Sequence, residues 1–239
     1  MKSSVVLSPY GMGNSMATCG ASGDEEVAEP FYKYDTRFKS GLVVRNKAYL
    51  CTDVKNVYWY GGGYQEEFVP DGADMKEYVM QDVRSLTGGR LPNIISVCSD
   101  ECVFVNIVDL DLESDDHSAK VLNLPKGDHL YRKGYDRFAL YVTDMVQDDS
   151  SLYHDFDSAN VIDLPAFSVI ATIESKANKR GQATNFIFDN SGVSAVSATY
   201  YGIHVQHTAL NNRKEGVPCH FVLKDEVTGH ILFKGRTFL

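Results

Sequence analysis

From residue 94 onward the chain alternates short runs of β-branched and aromatic residues with compact turn signals. Layered antiparallel sheets are the packed arrangement that accepts this rhythm most readily. The runs are 94–98 (IISVC), 102–112 (CVFVNIVDLDL), 119–124 (AKVLNL), 137–146 (RFALYVTDMV), 166–175 (AFSVIATIES), 184–189 (TNFIFD), 193–207 (VSAVSATYYGIHVQH), 217–224 (VPCHFVLK) and 230–234 (HILFK). Turn residues fall between them at Pro125–Asp128, Asn190–Gly192 and Asp225–Gly229, and the last of these closes the clearest hairpin. Upstream, 41–51 and 54–60 also read as strands, and Gly61-Gly62-Gly63 then breaks the chain. One helix stands out. Met75, Val79, Val83 and Leu86 recur at helical spacing, Asp71 or Asp74 caps the start, and Gly88-Gly89 followed by Pro92 ends it. The expected fold is mainly β (α+β), with antiparallel sheets in a sandwich or barrel-like arrangement and one main helix near 72–87.

The length of 239 residues and 44% hydrophobic content allow a full core without disulfide or metal staples. Residues 1–30 are rich in small residues, then acidic, and read as an N-terminal arm or extended segment. Residues 31–239 read as a single compact β-rich domain. The polar stretch 147–159 is either a long loop or a subdomain junction; no Pro/Gly/Ser-rich linker marks it, which favours the loop. The five cysteines are unevenly spaced, no signal-peptide pattern opens the chain, and no run of 18 apolar residues occurs. A cytoplasmic location is expected, that of the host for a phage or viral protein.

The negative charge is concentrated. Residues 91–119 hold Asp100, Glu101, Asp109, Asp111, Glu113, Asp115 and Asp116 with no Lys or Arg. Residues 138–175 hold Asp144, Asp148, Asp149, Asp155, Asp157, Asp163 and Glu174, again with no Lys or Arg. On a strand, Asp109, Asp111 and Glu113 share one face, and Ile107, Val108, Leu110 and Leu112 serve the core. Such a face is either solvated or a docking surface for a basic partner. It disfavours direct contact with nucleic acid or an anionic membrane.

No arrangement of residues assigns a catalytic group, a metal ligand or a cofactor. His204 and His207 fall on opposite faces of a strand. Cys98 and Cys102 lack a matching second pair for zinc. Asp155-Phe156-Asp157 lacks the spacing, glycine and terminal Glu of a calcium loop. Gly11-Met12-Gly13-Asn14 lacks the rest of a phosphate loop, and no nucleophile elbow occurs. Tyr58, Trp59, Tyr60 and Tyr64 either fill the core from a strand or form an oligomer contact.

The charge map therefore points to a non-enzymatic interaction protein, a homodimer, with no cofactor. It binds a basic partner protein through Asp109, Asp111, Glu113, Asp115, Asp116, Asp144, Asp148, Asp149, Asp155 and Asp157. One concrete form is a phage- or virus-encoded inhibitor that covers the nucleic-acid-binding surface of a host enzyme. Alternatives are a viral or phage structural subunit (capsid, tail or decoration protein) and a carboxylate- or metal-dependent hydrolase.

Overall fold

A computed structural model describes residues 4–18, 41–50, 55–60, 63–68, 74–91, 94–97, 102–116, 118–145, 156, 159–175, 180–201, 203–205 and 215–239. The elements in chain order are β1 (Val5–Leu7), α1 (Pro9–Thr18), β2 (Leu42–Leu50), β3 (Lys55–Tyr60), β4 (Gly63–Phe68), α2 (Met75–Leu86), β5 (Ile94–Val97), β6 (Cys102–Glu113), β7 (Ser118–Asn123), β8 (His129–Tyr135), β9 (Phe138–Thr143), β10 (Asn160–Asp163), β11 (Phe167–Ser175), β12 (Arg180–Asp189), β13 (Gly192–Tyr201), β14 (Ile203–Val205), β15 (Pro218–Asp225) and β16 (Ile231–Phe238). The mainly antiparallel fold expected from the sequence is the one observed.

Two seven-stranded antiparallel sheets dominate. The first has the order β1-β16-β15-β9-β8-β7-β10, and the second β11-β12-β13-β6-β2-β3-β4. A two-stranded piece pairs β14 with β5. The sheets face each other across one apolar core. Leu42, Val108, Leu110, Val193, Phe186 and Phe188 come from one side, and Phe138, Leu140, Phe221, Leu223 and Phe233 from the other. Phe186 sits 4.7 Å from Phe221 by ring centroids, and Phe167 sits 5.1 Å from Phe221. Offset and tilted rings at such distances are the favourable geometries of aromatic packing.

The second sheet is covered on both faces. α2 lies against its outer face, where Val79 and Val83 pack with Tyr49, Val103, Val105, Ile107, Val196 and Ala198. Asp74 caps this helix, accepting from the amides of Lys76 (2.9 Å) and Glu77 (3.3 Å). Ile107 therefore serves this outer cluster, while Val108, Leu110 and Leu112 serve the core between the sheets.

Part of the stretch read as an arm folds inward. Ser8 Oγ accepts from the Gly11 amide at 3.0 Å and donates to the Leu232 carbonyl at 2.6 Å. Ser8 is thus the N-cap of α1, with Pro9 at the first helical position, where its missing N–H costs nothing. Ser8, Tyr10 and Asn14 are buried, and β1 adds to β16 as an edge strand. The 193–207 run also differs. It ends as β13 at Tyr201, and β14 leaves to pair with β5. The proposed junction at 147–159 falls outside the described residues except Phe156 and Ala159. Among the described residues, no helix is long and apolar enough to cross a membrane.

Candidate functional site

The strand that singles itself out is β13. It is central, pairing with β12 over ten residues and with β6 over ten. Central strands favour β-branched and aromatic side chains. Yet five of the ten residues here are Gly192, Ser194, Ala195, Ser197 and Ala198. Backbone ladders run along both of its edges, and Val193, Ala195, Val196, Ala198 and Tyr200 pack into the apolar clusters on its two faces.

Its entry is a tight turn. Asp189 Oδ1 accepts from the Ser191 amide (2.8 Å) and the Ser191 hydroxyl (2.5 Å), and these bonds hold the Asp189 carboxyl below the usual carboxylate range. Gly192 follows with φ +130°, and a Cβ there would stand 1.8 Å from the Leu112 carbonyl oxygen of β6. Only glycine lets the chain start a strand this close to β6. An open cleft of about 580 Å³ lies at this end, lined by Asp111, Glu113, Asp115, Asp189 and Ser191 among others.

Under the other half of the sheet the inner face turns polar. Gln182 on β12 accepts from the Ser8 amide (2.7 Å) and donates to the Ser8 carbonyl (2.9 Å) and to Thr199 Oγ1 on β13 (2.7 Å). Thr184 adds a bond to Gln182 Oε1 at 3.3 Å. Asn106 on β6 donates to Asn46 on β2 (2.7 Å), and Asn46 donates to Asn14 on α1 (3.2 Å). All of these side chains are buried. A buried polar layer is costly unless its members are satisfied. Here Asn106 Oδ1 and Ser197 Oγ have no hydrogen-bond partner among the described residues. Gly11 lets α1 approach this layer; a Cβ on it would lie 3.0 Å from Thr199 Oγ1 and 3.2 Å from Asn106 Oδ1.

Arg90, just after α2, crosses the outer face. Its Nη2 donates to Asp109 at 2.5 Å, and its Nη1 donates to Asp111 at 3.3 Å and to Ser194 Oγ at 3.1 Å. Its own carbonyl accepts from Asn185 Nδ2 at 2.8 Å. One residue thus touches β12, β13 and β6.

This geometry relocates the acids selected from the sequence. Asp109, Asp111 and Glu113 do share the outer face of β6, but Asp109 and Asp111 are ion-paired with Arg90. Asp116 accepts from Ser118 and lies 3.6 Å from Lys133. Asp144 is held by His129, through its amide (2.5 Å) and its Nδ1 (2.8 Å). Glu113 and Asp115 are exposed. Asp148, Asp149, Asp155 and Asp157 lie outside the described residues. Tyr58, Trp59, Tyr60 and Tyr64 fall on β3 and β4, in a hairpin that pairs Trp59 with Tyr64. Their side chains lie outside the described set, so the oligomer contact stands as an expectation. Sequence reasoning missed Arg90, Gln182, Asn106, Asn46 and Ser8. Of these, only Ser8-Pro9 carried a local signal, that of a helix cap.

No protein-family model matches the chain, and no curated protein matches it in sequence. Solved structures do match. A thermophilic serpin, tengpin, in its latent state aligns with TM-score 0.65 at 14% identity, over 99% of this chain and 92% of that one. The fold is serpin-like. A cleaved, loop-inserted ovalbumin mutant aligns with TM-score 0.65 at 12% identity, over 98% and 93% of the two chains. The myxomaviral serine protease inhibitor 1 aligns with TM-score 0.54 at 12% identity, over 84% and 94%. The serpin-like fold overturns the acidic-surface reading, and with it the structural-subunit and hydrolase alternatives. Part of the predicted surface is also used within the chain: Asp109 is paired with Arg90 and Asp144 with His129, while Asp111, Glu113, Asp115 and Asp116 stay exposed.

Proposed function

We propose that the chain is a protease inhibitor that works by strand insertion, with β13 as the inserting strand and the segment 202–217 as the bait offered to a serine protease. A fold hosts many functions, and thyroxine-binding globulin carries thyroxine on a similar one (TM-score 0.58 at 10% identity). The observation that carries the inhibitor reading is therefore β13 itself. A ten-residue central strand, half of it Gly, Ala or Ser and joined to β12 by a two-residue turn, is built to enter an existing sheet. Insertion of a reactive loop into a sheet converts a metastable chain into a more stable one, and the released strain does work on the bound partner.

Topology supports the bait assignment. With β13 withdrawn, residues 190–217, which include β14, lead from β12 to β15. A protease would attack that connection in its extended form, and β13 would then add between β12 and β6. The partner in this reading is a protein, as the sequence suggested, but it is recognised through an extended peptide rather than through surface carboxylates.

The test incubates the purified chain with a panel of serine proteases, measures residual protease activity and maps cleavage by mass spectrometry. Loss of activity of at least one protease, with cleavage confined to 202–217, is expected. Cleavage there with full protease activity retained would sink the reading, as would no effect on any protease.

A further inference from the structure

We infer that Arg90 is a strap that closes over β13 and holds it in the sheet, a positioning residue for the inserted strand. The inference rests on the insertion reading above, and it adds the residue that retains the strand after entry.

The register makes the case. Asn185, Val196 and Asp109 form one cross-strand row through β12, β13 and β6. Arg90 binds the two outer members of that row, Asn185 through its carbonyl and Asp109 through its guanidinium, so it passes over Val196. β12 and β6 are separated here by two strand spacings, about 9.5 Å. Without β13 they would close to about 4.8 Å, and Arg90 would span one strand spacing instead of two. The reach of Arg90 therefore fits the three-strand arrangement. The guanidinium also donates to the inserted strand itself, at Ser194 Oγ, in the next row, where Ser194 faces Asp111.

Three further features suit a strap. The planar fork satisfies Asp109, Asp111 and Ser194 with two terminal nitrogens, a task a lysine ammonium performs less well. Nε donates to the Thr87 carbonyl at 3.2 Å, which ties the strap to the end of α2. The α2 terminus is in turn fixed by the Gly89 amide bonding to the Arg84 carbonyl at 2.9 Å. The carboxylates of Asp109 and Asp111, one pleat apart, would repel each other without this cation.

The experiment is hydrogen exchange on the full chain with β13 in the sheet, as the structure describes it, and on Arg90→Gln, Arg90→Lys, Ser194→Ala and the Arg90→Gln/Ser194→Ala double variant in the same form. In Arg90→Gln the amides of β13 and β6 are expected to exchange about tenfold faster, the effect of losing one charge-assisted hydrogen bond. Amides of β15 and β16 should be unchanged. Arg90→Lys should fall between, and the double variant should exchange no faster than Arg90→Gln. Raising salt from about 0.05 M to about 0.5 M should narrow the gap between Arg90→Gln and the parent. Uniform acceleration across both sheets, unchanged β13 exchange, or additive single effects would each overturn the strap. No protease enters this test, so a failed strap leaves the inhibitor reading standing, and a failed inhibition assay leaves the strap standing.

Discussion

Replacing Gly192 by alanine puts a methyl group where β13 meets the end of β6. The backbone there has φ +130°, a region L-residues rarely enter, and forcing one into it costs about 1–3 kcal/mol. The new Cβ would also stand 1.8 Å from the Leu112 carbonyl oxygen and 2.9 Å from its carbon. Neither atom belongs to a flexible side chain, so the first pairs of the ladder, Gly192 with Glu113 and Val193 with Leu112, must separate. Losing that end of the ladder adds about 1 kcal/mol. The sum is about 3 kcal/mol, or roughly 6–12 °C in Tm for a chain of this size. Gly229→Ala provides the control. Its φ is +80°, but nothing lies within 4 Å of an added Cβ, so only the conformational cost applies. Thermal unfolding followed by circular dichroism compares the two. If Gly192→Ala lowers Tm no more than Gly229→Ala does, the claim that β13 enters hard against β6 is wrong.

Four other outcomes follow from contacts elsewhere in the fold. Arg137→Ala should destabilise by about 3–5 kcal/mol in urea unfolding, because the Asp225 carboxylate is fully buried and Arg137 is its cation. Lys47 is 1% exposed and pairs with Asp82 of α2, which also accepts from Tyr49 at 2.7 Å; Lys47→Ala should cost about 3–5 kcal/mol and Lys47→Met less, since methionine refills the space. Burial pushes the Cys219 thiol up to about 11, and burial with the Glu226 hydrogen bond pushes the Tyr141 phenol up to about 12. Both stay protonated in the fold after their unfolded counterparts ionise near 9.0 and 10.0, so the stability these two groups contribute should be full below pH 9 and be lost as pH rises from 9 through about 12. Iodoacetamide at pH 8 should label native Cys219 far more slowly than a model thiol.

Much of the architecture was legible because it is written locally. α2 announces itself by the 75, 79, 83, 86 spacing and its Asp74 cap, and β6, β9, β11, β12 and β15 by runs of apolar residues between turns. β8 was missed because its sequence, HLYRKGY, mixes charge into both faces, and Lys133 is buried on the inner one with its ammonium on the Asp116 carbonyl. β10 was missed because all four residues are exposed at a sheet edge, which leaves no alternation to see. α1 was masked by its two glycines, poor helix formers, although Ser8-Pro9 carried the signal.

The site was harder to read because it is assembled at long range. The sequence shows Asp109, Asp111 and Glu113 as one acidic strand face, solvated or a docking surface, but the cation that pairs with two of them lies at position 90, outside that strand. The polar layer draws Ser8, Asn46, Asn106, Gln182 and Thr199 from five separate segments, and no spacing rule links them. The composition of β13 was visible as VSAVSATYY. Its meaning depends on the register that puts it between β12 and β6, which the sequence does not state.

Hydrogen exchange over residues 192–201, in the freshly folded chain and again after cleavage within 202–217, tests the insertion of β13 most directly. The account predicts fast exchange while β13 is still outside the sheet of the freshly folded chain, and strong protection with a higher Tm in the inserted form, the one the structure describes and in which the Arg90 and Gly192 variants are compared. Equal protection of these amides before and after, with no change in Tm, would contradict it.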